Sequence, residues 1–175
     1  GGDCTWTGCV PSKALLKAGK VAHQIRRAGH YGLIDSEPEI DFRKVVEHVH
    51  EIRDEIYEDA DAPEIFEAMG IEVVKGMAYF TDRHSINIEQ ANGETRVVTS
   101  RYFFICTGAG AFVPPINGIE DIDYLTNENL FEIEDLPEEL IIIGAGPIGS
   151  EMAQAMNRLS SKVSVIDIAD RIMMN

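Results

Sequence analysis

The sequence predicts an α/β fold: amphipathic helices first, then an antiparallel β-meander, then a strand–helix–strand unit at the end. Three observations predict it. Apolar residues recur at helical spacing through the first third of the chain. Near Ile71 the period changes to short β-branched and aromatic runs separated by turn residues. Finally, the apolar run at 140–143 enters Gly144-Ala145-Gly146-Pro147-Ile148-Gly149, which opens another helical pattern.

Taken in order, residues 11 to about 30 read as a helix. Leu15, Ala18, Ala22 and Ile25 fall on one face, with Lys13, Lys17, Lys20, Arg26 and Arg27 mostly elsewhere. Pro11 suits the first turn, where its missing N–H would have no intrahelical partner. A polar link at 32–39 contains Pro38. A second helix begins near Asp41, whose carboxylate can cap the free amides, and carries Phe42, Val45, Val49, Ile52 and Ile56. A short helix at 63–69 ends at Gly70. Strands are expected at 71–74, 77–80, 85–88, 95–99 and 102–106, with Asn92-Gly93 as a hairpin turn. The stretch 111–136, with Pro114-Pro115 and Asn117-Gly118, reads as a connector between domains. A helix at 150–159 and a strand at 163–167 complete the closing unit.

The bulk composition narrows the partners. The chain has 175 residues, 45% of them apolar, and a net charge of -15 from 30 acidic and 15 basic residues. Such a surface repels phosphate backbones and anionic membranes, so neither nucleic acid nor lipid is an expected partner. No apolar run approaches the roughly 20 residues of a membrane span, and no signal-peptide pattern is present. Three cysteines do not make a secreted disulfide scaffold. A close pair, Cys4 and Cys9, in a cytosolic-looking chain points instead to redox or metal chemistry. Both ends read as cuts within a longer polypeptide: Gly1-Gly2-Asp3-Cys4 resembles the middle of a loop, and the chain stops just after a strand pattern.

Two motifs carry chemistry. In Gly144-x-Gly146-x-x-Gly149 the first glycine makes a tight turn. The second lets backbone approach a pyrophosphate, and the third lets helix and strand pack closely. The helix N-terminus, with Pro147 and Ile148 in its first turn, supplies free N–H groups to phosphates. Asp167, at the end of the next strand, would accept hydrogen bonds from the adenine ribose hydroxyls. A carboxylate there suits NAD and repels the additional phosphate of NADP, although Arg171 could partly offset this. A glycine turn with no ligand is the plain alternative. The other motif is Cys4-Thr5-Trp6-Thr7-Gly8-Cys9, followed by Val10-Pro11-Ser12-Lys13. Cys9 precedes a helix start, where the dipole favours a thiolate. From the residues alone three plainer readings compete: an inert structural disulfide, half of a zinc site completed by Cys106 and a histidine, for which the spacing is long, or two unrelated thiols. No metal site is assigned, because the five histidines form no ligand pattern around the pair.

The string Gly1-Gly2-Asp3-Cys4-(four residues)-Cys9-Val10-Pro11-Ser12-Lys13 resembles the redox segment of the class I pyridine nucleotide-disulfide oxidoreductases. This family includes lipoamide dehydrogenase, glutathione reductase and mercuric reductase. Thr107-Gly108 resembles its Ala-Thr-Gly motif near the flavin, with Cys106 in the alanine position, and residues 140–151 resemble its NAD-binding fingerprint. The resemblance implies part of an FAD-binding Rossmann-like domain at 1–110 with an antiparallel β-meander. After the connector at 111–136, it implies the first βαβ unit of an NAD-binding Rossmann domain at 137–175. It implies FAD and NAD as cofactors, NADH favoured, with electrons passing to a Cys4–Cys9 disulfide and then to a small-molecule disulfide or thiol-bound metal ion. Cys4 matches the thiol that meets substrate, Cys9 the thiol beside the flavin, and Lys13 a lysine near the flavin ring. Gly76, Met77 and Ala78 match a segment whose backbone touches the FAD adenine. Glu151 matches an acid near the nicotinamide, with a good first-turn helix residue as the bland alternative. Cys106 is expected to be buried as packing. The family's first glycine fingerprint and its C-terminal interface domain, which carries a His–Glu pair, match nothing here. The full-length protein is expected to be a cytoplasmic homodimer. Thr5-Trp6-Thr7 and Asp123-Tyr124-Leu125-Thr126-Asn127-Glu128 look most like the mercuric reductase-like FAD oxidoreductases. A non-catalytic nucleotide-binding fragment and a thiol-based metal-binding protein remain as other classes.

Overall fold

Helix α1, Asp3–Trp6, is a single turn, and α2 runs Cys9–Arg26 in the computed structural model, which describes residues 2–173. Pro11 is buried in the first turn of α2, where no intrahelical N–H bond is lost. The sequence placed this helix at 11–30. It starts two residues earlier and stops at Arg26, and a 3₁₀ turn at Ala28–Tyr31 follows. Helix α3, Phe42–Ile56, is capped as expected, with Lys44 N donating to Asp41 Oδ1 at 3.3 Å. A π-helical turn, Tyr57–Asp61, leads to α4, Pro63–Ala68. Strands β1 (Met77–Asp82), β2 (Ser85–Glu89) and β3 (Thr95–Thr99) follow. The chain closes with β4 (Glu139–Ile143), α5 (Pro147–Arg158) and β5 (Lys162–Ile166).

These elements fall into two compact units, one made of the segments before Asp59 and after Gly110, the other of Asp59–Gly110. In the first unit α2 packs on both α3 and α5. Its core joins Leu15 of α2, Phe42 and Val49 of α3, and Met152, Ala155 and Met156 of α5. Fully burying a side chain such as Met156 or Leu159 stabilises the fold by roughly 1.5–3 kcal/mol. Phe131, on a 3₁₀ turn at Leu130–Glu132, is also buried there, so the expected connector contributes to the core. Strands β4 and β5 pair in parallel, Leu140 opposite Val163 and Ile143 opposite Ile166, with α5 joining them. This is the expected βαβ unit, with its helix starting three residues sooner than the pattern suggested, at Pro147.

The second unit is built on an antiparallel meander in the order β1-β2-β3, with Met77 opposite Glu89 and Ile86 opposite Val98. The Asn92-Gly93 turn forms as expected: Gly93 has φ +84° and Glu94 N donates to Asn92 Oδ1 at 3.0 Å. Residues 71–74 and 102–106 are not strands. An extended run becomes a strand only by pairing, and among the described residues neither segment has a ladder partner. Side chains hold them instead. Arg96 forks onto Glu72 at 2.5 and 2.7 Å, and Phe103 meets Phe80 edge-on with centroids 5.1 Å apart. Phe104 is 93% exposed. Cys106 is therefore exposed rather than buried, because the strand expected to carry it inward is missing. Among the described residues, no helix is long and apolar enough to cross a membrane.

Candidate active site

The redox segment folds as two helices meeting at a corner, α1 carrying Cys4 and α2 opening on Cys9. Their sulfurs lie 2.8 Å apart and both cysteines are exposed. Buried Thr5 seats α1, and the Thr7 hydroxyl donates to Asp3 O at 3.5 Å. That same hydroxyl oxygen accepts from Asn127 Nδ2 at 3.4 Å, which ties the corner to a segment 120 residues away.

Lys13 lies one turn beyond Cys9, on the same face of α2 by the i,i+4 rule. Its Nζ donates to Glu151 Oε1 of α5 at 2.5 Å. Small buried residues, Ala14 and Ala155, line the two helices that carry this pair. The ion pair is partly exposed, so its contribution to stability is small, about 0–1 kcal/mol. Its value is positional: it joins the cysteine helix to the helix of the glycine fingerprint.

The protonation of Cys9 departs from expectation. The α2 N-terminus was expected to favour a thiolate. Instead, the Cys4 side chain hydrogen-bonded to Cys9 pushes its thiol above the ordinary range, chiefly through that bond and secondarily through desolvation. A backbone amide and the Lys13 charge pull the other way but do not prevail. Removing Cys4 should therefore release the shift. In reduced Cys4→Ala protein, the midpoint for iodoacetamide alkylation of Cys9 should move to lower pH, and in Lys13→Met to higher pH. Equal midpoints in wild type and Cys4→Ala would refute this account.

The fingerprint loop has the geometry that its glycines require. Gly144 sits at φ +105°, in the region closed to most side chains, and its N–H donates to Ile166 O at 2.8 Å. A Cβ on Gly149 would run into Gly144 O, so only glycine lets α5 approach the end of β4 this closely. Gly146, at the N-cap of α5, brings no side-chain cap, and Pro147 follows at N1. Asp167 closes the loop from β5: Ala145 N donates to its Oδ2 at 2.5 Å and Ala169 N to its Oδ1 at 2.7 Å. These amides, Ala145 first, hold its carboxyl below the usual carboxylate range. Each oxygen keeps a further lone pair for an outside donor. A glycine-lined turn, an uncapped helix start and an anionic acceptor at the next strand together fit a dinucleotide such as NAD. Ile148, 71% exposed, stands on the open side of the first turn.

The residues expected to hold FAD divide between the units. Cys9 and Lys13 belong to the first, and Gly76, Met77, Ala78, Thr107 and Gly108 to the second. Within the second unit Met77 and Ala78 open β1, and all five residues are exposed. Gly108 has φ +72°. Open backbone of this kind suits the adenine and phosphate contacts of a flavin nucleotide. Among the described residues, no group of three or more His, Cys, Asp or Glu is placed to hold a metal ion.

Sequence reasoning did not find the partners of Trp6. Its ring lies 5.1 Å from that of Tyr57, and the Arg53 guanidinium carbon sits 5.2 Å over it. The partners lie 47 and 51 residues away along the chain, and no local pattern announces the contact.

Comparison with known proteins agrees with this geometry. The family model described as pyridine nucleotide-disulphide oxidoreductase matches residues 1–175. A mercuric reductase from Bacillus cereus is 34% identical over 177 residues, covering 99% of this chain and 26% of its own length. One from Streptomyces lividans is 36% identical over 170 residues, covering 94% of this chain and 35% of its own. The crystal structure of LpdA from Mycobacterium tuberculosis superposes with a TM-score of 0.81 at 26% identity, over 100% of this chain and 38% of that one. The chain thus spans between a quarter and two fifths of these proteins. With a family match along its whole length and the cysteine pair, lysine and glycine fingerprint in place, the chain belongs to the pyridine nucleotide-disulphide oxidoreductase family.

Proposed function

We propose that the full-length protein is an FAD-dependent oxidoreductase in which electrons pass from NADH to the Cys4–Cys9 disulfide and on to substrate. The observation that carries this reading is the 2.8 Å approach of the two sulfurs, at a helix start whose Lys13 is paired with Glu151 of the fingerprint helix. Residues 1–110 would form part of the FAD-binding domain, 111–136 a connector, and 137–175 part of the NAD-binding domain. Bound flavin supplies two-electron transfer between a nicotinamide and a disulfide.

The residues of this chain do the rest. Gly146 and the first turn of α5 receive the pyrophosphate of the dinucleotide, and Asp167 receives its ribose. Asp167, held anionic by its amides, favours NADH over NADPH. Lys13 places a positive charge one turn from Cys9, the flavin-side thiol. Cys4, on α1, is the outer thiol. As thiolate it attacks one sulfur of a substrate disulfide, and the other sulfur leaves and takes a proton. Cys9 then attacks the Cys4 sulfur, releasing the second substrate thiol and restoring the internal disulfide. The names of the mercuric reductase relatives support a thiol-bound metal ion as the other substrate class. A cytoplasmic homodimer is part of the same proposal.

Anaerobic NADH titration of the FAD-loaded full-length protein tests it. A long-wavelength charge-transfer absorbance should appear and should vanish in Cys9→Ser. A flavin that bleaches with no such band places the cysteines outside the electron path and leaves a nucleotide-binding protein.

A further inference from the structure

Trp6 is the sole tryptophan of the sequence, and it lies between the two cysteines. It is 36% exposed, so burial in the core does not hold it. Its ring rests on the end of α3 and the π-helical turn after it, tilted 48° against Tyr57 and covered by the guanidinium of Arg53. Arg53 is itself fixed. Its side chain is 14% exposed, and its Nη1 donates to Glu132 Oε1 at 2.7 Å. Glu132 ends the 3₁₀ turn whose Phe131 is buried in the core and whose Phe131 carbonyl takes His50 Nε2 at 2.7 Å. The buried Arg53 Nε makes no hydrogen bond among the described residues; it has the Asp54 carboxylate at 3.8 Å and the indole face beside it. A rigid line of contacts therefore runs from the core, through Glu132 and Arg53, to the loop that spaces the cysteines.

We propose that Trp6, Arg53 and Tyr57 form a positioning clamp that sets the reduction equilibrium of the Cys4–Cys9 pair. This inference rests on the redox reading of that pair. The effect is entropic. Residues 4–9 are a short loop, and in the disulfide state the S–S bond itself restrains it. In the dithiol state only the clamp and the helix contacts do. Removing the clamp frees the dithiol loop far more than the disulfide loop, so the dithiol gains and the disulfide becomes easier to reduce. Two stacking contacts of this kind are worth on the order of a tenfold change in the equilibrium. For a two-electron couple, tenfold corresponds to about 30 mV. These are positioning residues: none of them touches the electrons.

The test equilibrates the FAD-loaded full-length protein with reduced and oxidised glutathione at graded ratios, without NADH. In that reaction two protein thiols lose two electrons and two protons, and one oxidised glutathione becomes two reduced molecules. Acid quenching and alkylation count the free thiols by mass. Trp6→Ala, which removes both contacts, should shift the midpoint about tenfold toward the dithiol, and Arg53→Met, which removes one, about threefold, whereas Trp6→Phe, which keeps an aromatic face, should stay near wild type. A merely structural role would lower the melting temperature and leave the midpoint in place. Midpoints for Trp6→Ala and Arg53→Met within twofold of wild type overturn the clamp. If Trp6→Ala does not fold, Trp6→Leu and Arg53→Met decide by the same criterion. A wild-type protein that forms no disulfide at any ratio removes the redox reading itself, and the clamp with it.

Discussion

Replacing Cys4 by Ser is expected to lower NADH-dependent disulfide reduction by about a thousandfold or more, while NADH still reduces the flavin at close to the wild-type rate. The two halves of this expectation come from different parts of the structure. Cys4 lies on α1, whereas the cysteine helix meets the fingerprint helix through the Lys13–Glu151 pair and a shared apolar core, none of which includes Cys4. Serine is close in size to cysteine, and the seat of α1 is Thr5, which the change does not touch. The nucleophile is what is lost: a hydroxyl near neutral pH is almost wholly protonated and does not attack a disulfide sulfur. Stopped-flow absorbance separates the halves, with flavin bleaching reporting the first electron transfer and thiol release from an added disulfide reporting the second. Cys9→Ser should differ in kind by also losing the long-wavelength band. Full turnover in Cys4→Ser would move the substrate-facing role to some other group and withdraw the disulfide mechanism.

Much of this site was legible in the chain because its signals are local. The glycine fingerprint states its own turn: Gly144 needs a positive φ and Gly149 needs close packing, and each is met within a few residues. The Asp41 cap and the Asn92-Gly93 turn are equally local, and both formed as expected. The failures share a cause. Strand propensity at 71–74 and 102–106 describes a surface ready to pair, but pairing is a property of two segments, and no partner lies among the described residues. Cys106 was misplaced for that reason. The Cys9 thiol was misjudged for a related one. The helix start is visible in sequence, but the dominant influence, a second sulfur at 2.8 Å, depends on how α1 folds back on α2. Trp6 shows the limit most plainly: its partners Arg53 and Tyr57 come from α3 and the π-helical turn after it, and Asn127, which steadies the same loop through Thr7, from a third segment.

Gly149→Val in the full-length protein is expected to raise the KM for NADH by roughly a hundredfold, because the loop cannot yield to the new side chain. A Cβ at this position meets Gly144 O head-on, comes within 3.0 Å of Gly144 C, and touches Ile142 Cγ2 at 3.4 Å. Two of these are backbone atoms, and they are held from the other side. Gly144 N–H is committed to Ile166 O, and the next amide, Ala145 N, to the Asp167 carboxylate. Relief must come from moving the start of α5 away from β4. That displaces the free amides meant for the pyrophosphate by a distance on the order of 1 Å, the scale at which a positioned ligand loses about a hundredfold. Glycine to alanine should fall between wild type and valine, since it brings the clash with the smallest side chain. The dithiol chemistry should change little: Cys4 and Cys9 sit on α1 and at the start of α2, and the start of α5 meets that helix through the partly exposed, weak Lys13–Glu151 pair, so the glutathione midpoint should stay close to wild type. Steady-state kinetics with NADH, set beside that midpoint, make the prediction specific. A valine variant with an unchanged KM would mean that the fingerprint loop does not hold the dinucleotide. A KM rise accompanied by a shifted midpoint would instead mean general damage to the unit that α2 and α5 share.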